Sequence, residues 1–431
     1  LFDEKNIILT APVISDMHVG YSDLNVNNKE RFDYVLKYFN TLRDSYDAVL
    51  SCGDHTQGGL EEQVNDLMEV YNNNLDIDKT PFVFAHGNHD TYWSGCMSTT
   101  QFYNAYGEKV YQYDLDQTQA KLGNRHVIVN NIHFFALQIK TFMPNYNDLT
   151  DETFEWADRE IKKACEENPN MPVFVMCHSP AWETVYGSFE DESTGIWGAS
   201  KQLDNLLKNY PQVFLLSGHT HYGITDNRSI SQTTYTQYQC GSICDLDLDE
   251  YNTKFNIKDL SNERSYGFGS ILEVDKYGNS RITRYDLMKK EMIKNPLCIS
   301  HPDEKGEFLK KYNFDEIRKS KIAPGLGENS SYILTHDENE HFYIEINNIE
   351  ESDMIFGTIA RVYAGDEIDE DMLIAEFGVA NDYYNYPTPN KNLSFSIDGK
   401  YSKKNNWTVS IQLVDSYGLT SEEYLPTNKI N

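Results

Sequence analysis

The sequence predicts an α/β domain followed by an all-β domain, and three observations carry that prediction. Five strand-like apolar runs, NIILTAPVIS, AVLSC, FVFA, PVFVMC and VFLLS, each end in a short stretch of carboxylate, amide or imidazole residues. Segments with helical spacing alternate with these runs, which predicts crossover connections and parallel pairing. Beyond residue 326 the pattern changes to short alternating runs. The 431 residues suffice for two domains with a substantial core.

The first run leads into Asp16-Met17-His18. NNKERFDYVLKYFNTLRD follows, with Phe32, Val35, Leu36 and Phe39 on one helical face. AVLSC ends at Gly53-Asp54-His55, and EEQVNDLMEVYNN reads as the next helix. FVFA ends at Gly87-Asn88-His89-Asp90, and DETFEWADREIKKACEEN reads as a third helix. PVFVMC ends at His178. QLDNLLKNY leads through Pro211 into VFLLS, which ends at Gly218-His219-Thr220-His221. After His221, TTYTQYQCGS and GSILEVDKYGNSRITRYDL read as antiparallel β, with a hairpin turn at Lys276-Tyr277-Gly278-Asn279, and are expected to close a second sheet.

Residues 1–290 are expected to form the first domain and 291–325 a charged helical connector, built on MKKEMIKN and EKGEFLKKYNFDEIRKSK. Ala323-Pro324-Gly325-Leu326-Gly327 marks a boundary. Residues 326–431 hold SYILTH, HFYIEINNI, MIFGTIARVYAG, MLIAEFGV, LSFSID and NWTVSIQLVDSYG, the spacing of an immunoglobulin- or fibronectin-like sandwich. This domain has no cluster of metal-ligand residue types. It reads as packing against the first domain, with shaping the mouth of a site or binding a partner as the alternative.

A parallel sheet aligns the C-terminal ends of its strands, where open α/β sheets build their sites. Residues about a hundred positions apart therefore converge. Asp16, His18, Asp54, Asn88, His178, His219 and His221 make seven donors, too many for one ion and suited to two. One ion would take Asp16, His18 and His221, the other Asn88, His178 and His219, with Asp54 between them. No cysteine is among them, so the oxygen and nitrogen set fits Mn, Fe or Zn.

D-x-H, GD, GNHD, a lone His after a strand, and GH-x-H occur in this order over roughly residues 7–290. In that arrangement the chain resembles the calcineurin-like metallophosphoesterase family. The resemblance implies a two-sheet α/β/β/α sandwich with a dinuclear centre of two divalent or trivalent metal ions at the strand ends, held by the seven residues above. It further implies hydrolysis of a phosphodiester or phosphomonoester, a small nucleotide-type substrate, by attack of a metal-bridging hydroxide. His89 resembles the family's leaving-group acid, Asp90 its orienting partner, and Asn88 a donor to a phosphate oxygen. Purple acid phosphatases have Gly where His18 stands and a tyrosine ligand where Gln57 stands, so a tyrosinate-bound iron is not expected. GDHTQGG reads as GD-x-T-x-x-G, similar to bacterial class III cyclic-nucleotide phosphodiesterase-like enzymes, which points to a diesterase before a phosphatase. The alternative function is a metal-stabilised binding or adhesion module.

Each residue also has a plainer reading. A lone histidine after a strand is more often a satisfied core residue than a ligand, and only the five ordered elements together outweigh that. His55 reads as a strand-end cap, with a reach into the substrate pocket as the alternative. His86, His126, His133 and His301 read as structural. Tyr92 and Trp93 read as core aromatics, with stacking on a substrate as the alternative.

The net charge of −30 disfavours nonspecific contact with duplex nucleic acid, and a small phosphoester is the expected partner. No apolar run is long enough for a membrane span. Seven cysteines without repeating spacing are not a disulfide framework; Cys52 and Cys177 read as buried thiols and Cys240 and Cys244 as a free pair. The start at Leu1 and the added β-domain lean towards export or the cell surface. Oligomeric state has no signal in the sequence.

Overall fold

The computed structural model describes residues 2–22, 27–92, 94–140, 147–188, 199–246, 265–302, 307–336, 338–339, 341–350, 354–381, 391–397, 400–401 and 405–428. Two compact units divide the chain, the first running to Asn313 apart from short excursions and the second taking Phe314 onward.

The first unit contains two six-stranded sheets. In one, β1 (Ile7–Ile14), β2 (Val49–Ser51) and β3 (Phe82–Phe84) run parallel, and β10 (Phe268–Asp275), β11 (Ser280–Asp286) and β12 (Glu291–Ile299) extend it antiparallel from β1. In the other, β5 (Ile132–Ala136), β6 (Val173–Met176), β7 (Val213–Ser217) and β9 (Thr236–Gln239) run parallel, with β4 (Arg125–Val129) and β8 (Ile230–Gln232) antiparallel at the edges. Strands β2, β3, β6 and β7 are buried along their whole length, as parallel strands covered on both faces must be.

Helices cover each sheet. In α1 (Asn28–Leu42) the cap is Asn27, whose side chain accepts from the amides of Lys29 and Glu30, and Phe32, Val35, Leu36 and Phe39 are buried as the spacing predicts. They pack with Val64, Leu67 and Tyr71 of α2 (Glu61–Asn74). On the second sheet, the helix Asp151–Glu167 starts at Thr150, carries Asp151 and Glu152 in its first turn and buries Trp156, Ala157, Ile161 and Ala164. The inner faces meet where Tyr238 on β9 hydrogen-bonds Ser270 on β10 at 2.7 Å. This is the α/β/β/α sandwich expected.

Two expectations are corrected. The β10–β11 hairpin turns at Lys276–Asn279 as predicted, but it extends the first sheet beside β1; β8 and β9 complete the second, and β9 is parallel to β7. The segment from Glu291 is the strand β12, not part of a helical connector. Ile293, Leu297 and Ile299 are buried on either side of a register shift against β11, and Pro296 is tolerated because an edge strand has one unpaired side. Helical structure appears only later, as a 3-10 turn at Glu307–Lys310 and a helix at Phe314–Ser320.

Apart from that helix and a 3-10 turn at Glu370–Met372, the described elements of the second unit are strands. Sheet β13 (Ser331–His336), β14 (Phe342–Asn347) and β17 (Leu393–Ser396) and sheet β16 (Leu373–Ala380), β15 (Ile355–Ala364) and β18 (Trp407–Asp415) are both antiparallel. Phe342, Ile344 and Ile346 alternate inward and share a core with Val362, Val409, Ile411 and Leu413. The Tyr332 hydroxyl donates to the Val409 carbonyl at 2.9 Å, linking the two sheets. All seven cysteines are free, with Cys52 and Cys177 fully buried. Among the described residues no helix is long and apolar enough to cross a membrane.

Candidate active site

Each of the five polar motifs emerges at the C-terminal end of its strand, and the parallel register of β1, β2 and β3 beside that of β6 and β7 brings them to one place. The Asp16 amide donates to the Gly53 carbonyl at 3.0 Å and the His18 amide to the Asp54 carbonyl at 2.9 Å, so the loops after β1 and β2 are laced together. The His219 amide donates to the Asp16 carboxylate at 3.1 Å, which ties the loop after β7 to them.

Two donor groups result. Asp16, His18, Asp54 and His221 form one, Asp54, His178 and His219 the other, and within each group the donor atoms lie within 4.8 Å of one another. Asp54 belongs to both. Asn88 joins the second group, with Oδ1 2.9 Å from His178 Nε2. In the first group, His221 Nε2 lies 3.2 Å from Asp16 Oδ1 and 3.3 Å from His18 Nε2. In the second, His178 Nε2 lies 3.2 Å from Asp54 Oδ2. All seven residues expected from the sequence therefore converge.

Three features fit this cluster to cations. First, Asp16 and Asp54 are buried, and among the described residues imidazoles, not Lys or Arg, face their carboxylates. A buried carboxylate requires positive charge nearby. Second, the far nitrogens of three of the four histidines, His18, His178 and His221, are committed to acceptors. Nδ1 of His18 meets Gln57 Oε1 at 3.1 Å, Nδ1 of His178 the Cys52 carbonyl at 2.8 Å, and Nδ1 of His221 the Asp245 carboxylate at 2.5 Å. With Nδ1 holding the proton, each ring presents Nε2 to the centre. Third, Asp16, His18, Asp54, His219 and His221 all adopt positive φ, from 47° to 77°. That backbone costs about 1–2 kcal/mol per residue, and it persists where packing over-determines a functional geometry.

Glycines make room for it. Gly53 has φ 109°, and a Cβ there would overlap the His178 ring. At Gly87 a Cβ would overlap Asp54 Oδ1, and at Gly218 Ser15 Oγ and Asp16 Oδ2. Close approach is thus the reason for glycine at Gly87 and Gly218, and the sharp turn expected from the sequence applies at Gly53.

Electrostatics follow from this packing. Burial opposes ionisation of Asp54, but the imidazoles of His178 and His89 outweigh it and hold its carboxyl well below the usual range. Burial opposes protonation of His178, yet Asp54 and Asp16 raise its pKa to about 9. His221 is raised likewise by Asp16 and Asp245 against burial. For His18 burial wins, and its pKa falls to about 4.

His89 stands at the edge of the cluster, half-buried, its ring edge-on to His18 with centroids 4.4 Å apart. Its Nδ1 meets the Gln57 carbonyl at 3.1 Å, and its amide donates to Asp54 Oδ1 at 2.8 Å. The expected pairing with Asp90 is not made. The Asp90 carboxylate, fully buried, accepts instead from the Gly87 amide at 2.8 Å, the Thr56 amide at 2.9 Å and the Thr56 hydroxyl at 2.7 Å. It sits in the first turn of α3 (Asn88–Thr91), and its reach back to the preceding amides takes it away from the neighbouring ring. Gln57 thus contacts both His18 and His89, a role that no motif in the sequence announced.

His55 is buried between Ser51 Oγ and the Tyr106 hydroxyl, each at 3.0 Å, and does not reach the site. His86 meets Gln138 Oε1 at 3.1 Å, His126 meets His133 at 2.9 Å, and His301 meets the Pro169 carbonyl at 3.0 Å, all away from the donor groups. Tyr92 is half-buried, and Trp93 lies outside the described residues.

A two-sheet α/β sandwich with an Asp/His cluster at its strand ends is the architecture of a metallophosphoesterase. The family model for calcineurin-like phosphoesterases matches residues 12–223, and this part of the chain belongs to that family. A 3',5'-cyclic-nucleotide phosphodiesterase from Nostoc sp. is 26% identical over 222 residues, covering 50% of this chain and 73% of that protein. Among solved structures, the chain is similar to a purple acid phosphatase from yellow lupin seeds, with 14% identity, TM-score 0.48 and coverage of 69% of this chain and 54% of that one. It thus spans about half the length of that phosphatase. A protein serine/threonine phosphatase from Saccharomyces cerevisiae matches with 12% identity and TM-score 0.26, over 70% of this chain and 82% of that one.

Proposed function

We propose that this chain hydrolyses a small phosphoester, a nucleotide-type diester before a monoester, at a two-cation centre held by Asp16, His18, Asp54, Asn88, His178, His219 and His221. The observation that carries this reading is the membership of Asp54 in both donor groups. A shared carboxylate draws two cations to neighbouring positions. Bound there, they would neutralise phosphoryl charge and acidify a water. The donor set has no sulfur, which supports Mn, Fe or Zn. The similarity to a cyclic-nucleotide phosphodiesterase supports a diester.

The remaining steps belong to the protein. The Nε2 atoms of His18, His178 and His221 are aimed by their Nδ1 partners, so little reorganisation is needed on binding. Asn88 brings an amide to the edge of the second group, where it also serves a phosphate oxygen. His89 is the leaving-group acid. With Nδ1 committed to the Gln57 carbonyl, Nε2 is left to deliver the proton to the leaving oxygen.

The test is turnover of an aryl phosphodiester, an aryl phosphomonoester and a 3',5'-cyclic nucleotide with added Mn²⁺ or Zn²⁺. Metal-dependent hydrolysis, abolished by chelation and strongly reduced in Asn88→Ala, is expected. A chain that binds two ions but turns over none of the three would instead be a metal-stabilised binding module.

A further inference from the structure

Asp245 belongs to no motif, lies 24 residues beyond His221 and is 4% exposed. Its carboxylate accepts from His221 Nδ1 at 2.5 Å. The loop that carries it is tied to the Asp16 turn. The Ile243 amide donates to the Ser15 carbonyl at 3.1 Å and the Cys244 amide to the Asp16 carbonyl at 3.0 Å. Ser242 Oγ donates to that same Asp16 carbonyl at 3.3 Å and accepts from the Asp245 amide at 3.3 Å. Asn28 joins the other side, its Nδ2 lying 3.1 Å from both the His18 carbonyl and Cys244 Sγ. The carboxylate is therefore held rigidly against His221 by the same backbone that carries Asp16 and His18.

The partners of His18 and His178 differ in kind. His18 Nδ1 meets a side-chain amide oxygen and His178 Nδ1 a main-chain carbonyl, both neutral. Of these three rings, His221 alone is backed by a negative charge. A carboxylate behind a ligating imidazole fixes its tautomer and makes it a stronger donor. We propose that Asp245 is the positioning residue of His221, and that it strengthens the cation position formed by Asp16, His18 and His221. The inference rests on the two-cation reading above. It adds that the charge of Asp245 acts on that position and not on the one formed by Asn88, His178 and His219.

The test is titration of the metal-free full chain with Zn²⁺ in competition with a chelating dye, with thermal melts of the metal-free proteins alongside. The wild-type chain is expected to bind two ions. Asp245→Ala should weaken one of the two steps about 10–100-fold and leave the other unchanged. Asp245→Asn keeps an acceptor oxygen and should recover part of the loss, which a merely structural role would not produce. If Asp245→Ala fails to fold, Asp245→Asn carries the test by itself, since removing the charge should still weaken the same step. Two ions bound by the wild type, with both steps unchanged in Asp245→Asn and Asp245→Ala or both weakened equally, would overturn the role of Asp245 alone. A wild-type chain that takes fewer than two ions would overturn the two-cation reading, and this inference with it.

Discussion

His89 is bound on both sides by the machinery it would serve, its amide on Asp54 and its ring on the Gln57 carbonyl. A leaving-group acid matters most when the leaving group is poor. His89→Ala is therefore expected to keep its ions while losing about 10²–10⁴-fold on an alkyl or ribose ester, and far less on a nitrophenyl ester. Parallel kinetics on the two esters decide the matter; equal losses with unchanged metal content would make His89 a phosphate-binding group. Asp90→Asn should behave differently. Its carboxylate holds Thr56 and Gly87, so both esters should suffer together with the melting temperature. The donors were legible in the sequence because each sits in a short motif at a strand end. Gln57 and Asp245 were not, because their roles arise from tertiary proximity, across 32 residues to His89 and 24 to His221.

At the scale of elements, the loop after β2 shows how tightly backbone and site are joined. Gly53 turns with φ 109° while its Cα faces the His178 ring. Gly53→Ala should cost about 1–3 kcal/mol from the backbone alone, and it should also displace His178 and weaken metal binding. Chemical denaturation and metal titration measure the two effects separately; wild-type behaviour in both would mean the turn is not strained. The helices were readable because their apolar faces repeat at helical spacing, as Phe32, Val35, Leu36 and Phe39 do. The β12 segment was not. Its Glu, Met and Lys residues favour helix locally, while pairing with β11 across the sheet decides its state. The turn at Lys276–Asn279 was a more faithful guide. Asp275 accepts from the amides of Tyr277 and Asn279, and Asp415 from those of Tyr417 and Leu419, so one local pattern closes turns in both units.

For the whole molecule, buried histidines set the pH response of the metal-free chain. Burial lowers the pKa of His18 and His86 to about 4 and of His55 and His126 to about 3. The unfolded chain takes up protons at these rings first, so stability should fall as pH drops from about 6.5 towards 4. His178 has the opposite sign. Its pKa is raised to about 9, so its contribution is complete below about 6.5 and is lost as pH rises towards 9. Melting temperatures of the metal-free protein should therefore peak near neutral pH; a flat profile from pH 4 to 9 would contradict these assignments. Bound cations should remove the alkaline limb, because His178 would then bind metal in place of a proton. The central claim is that Asp54 is shared by two cations, and metal content per chain tests it most directly. Elemental analysis should find two ions in the wild type, two with one weakened in His18→Ala, and loss at both positions in Asp54→Ala; two ions retained by Asp54→Ala would contradict the account.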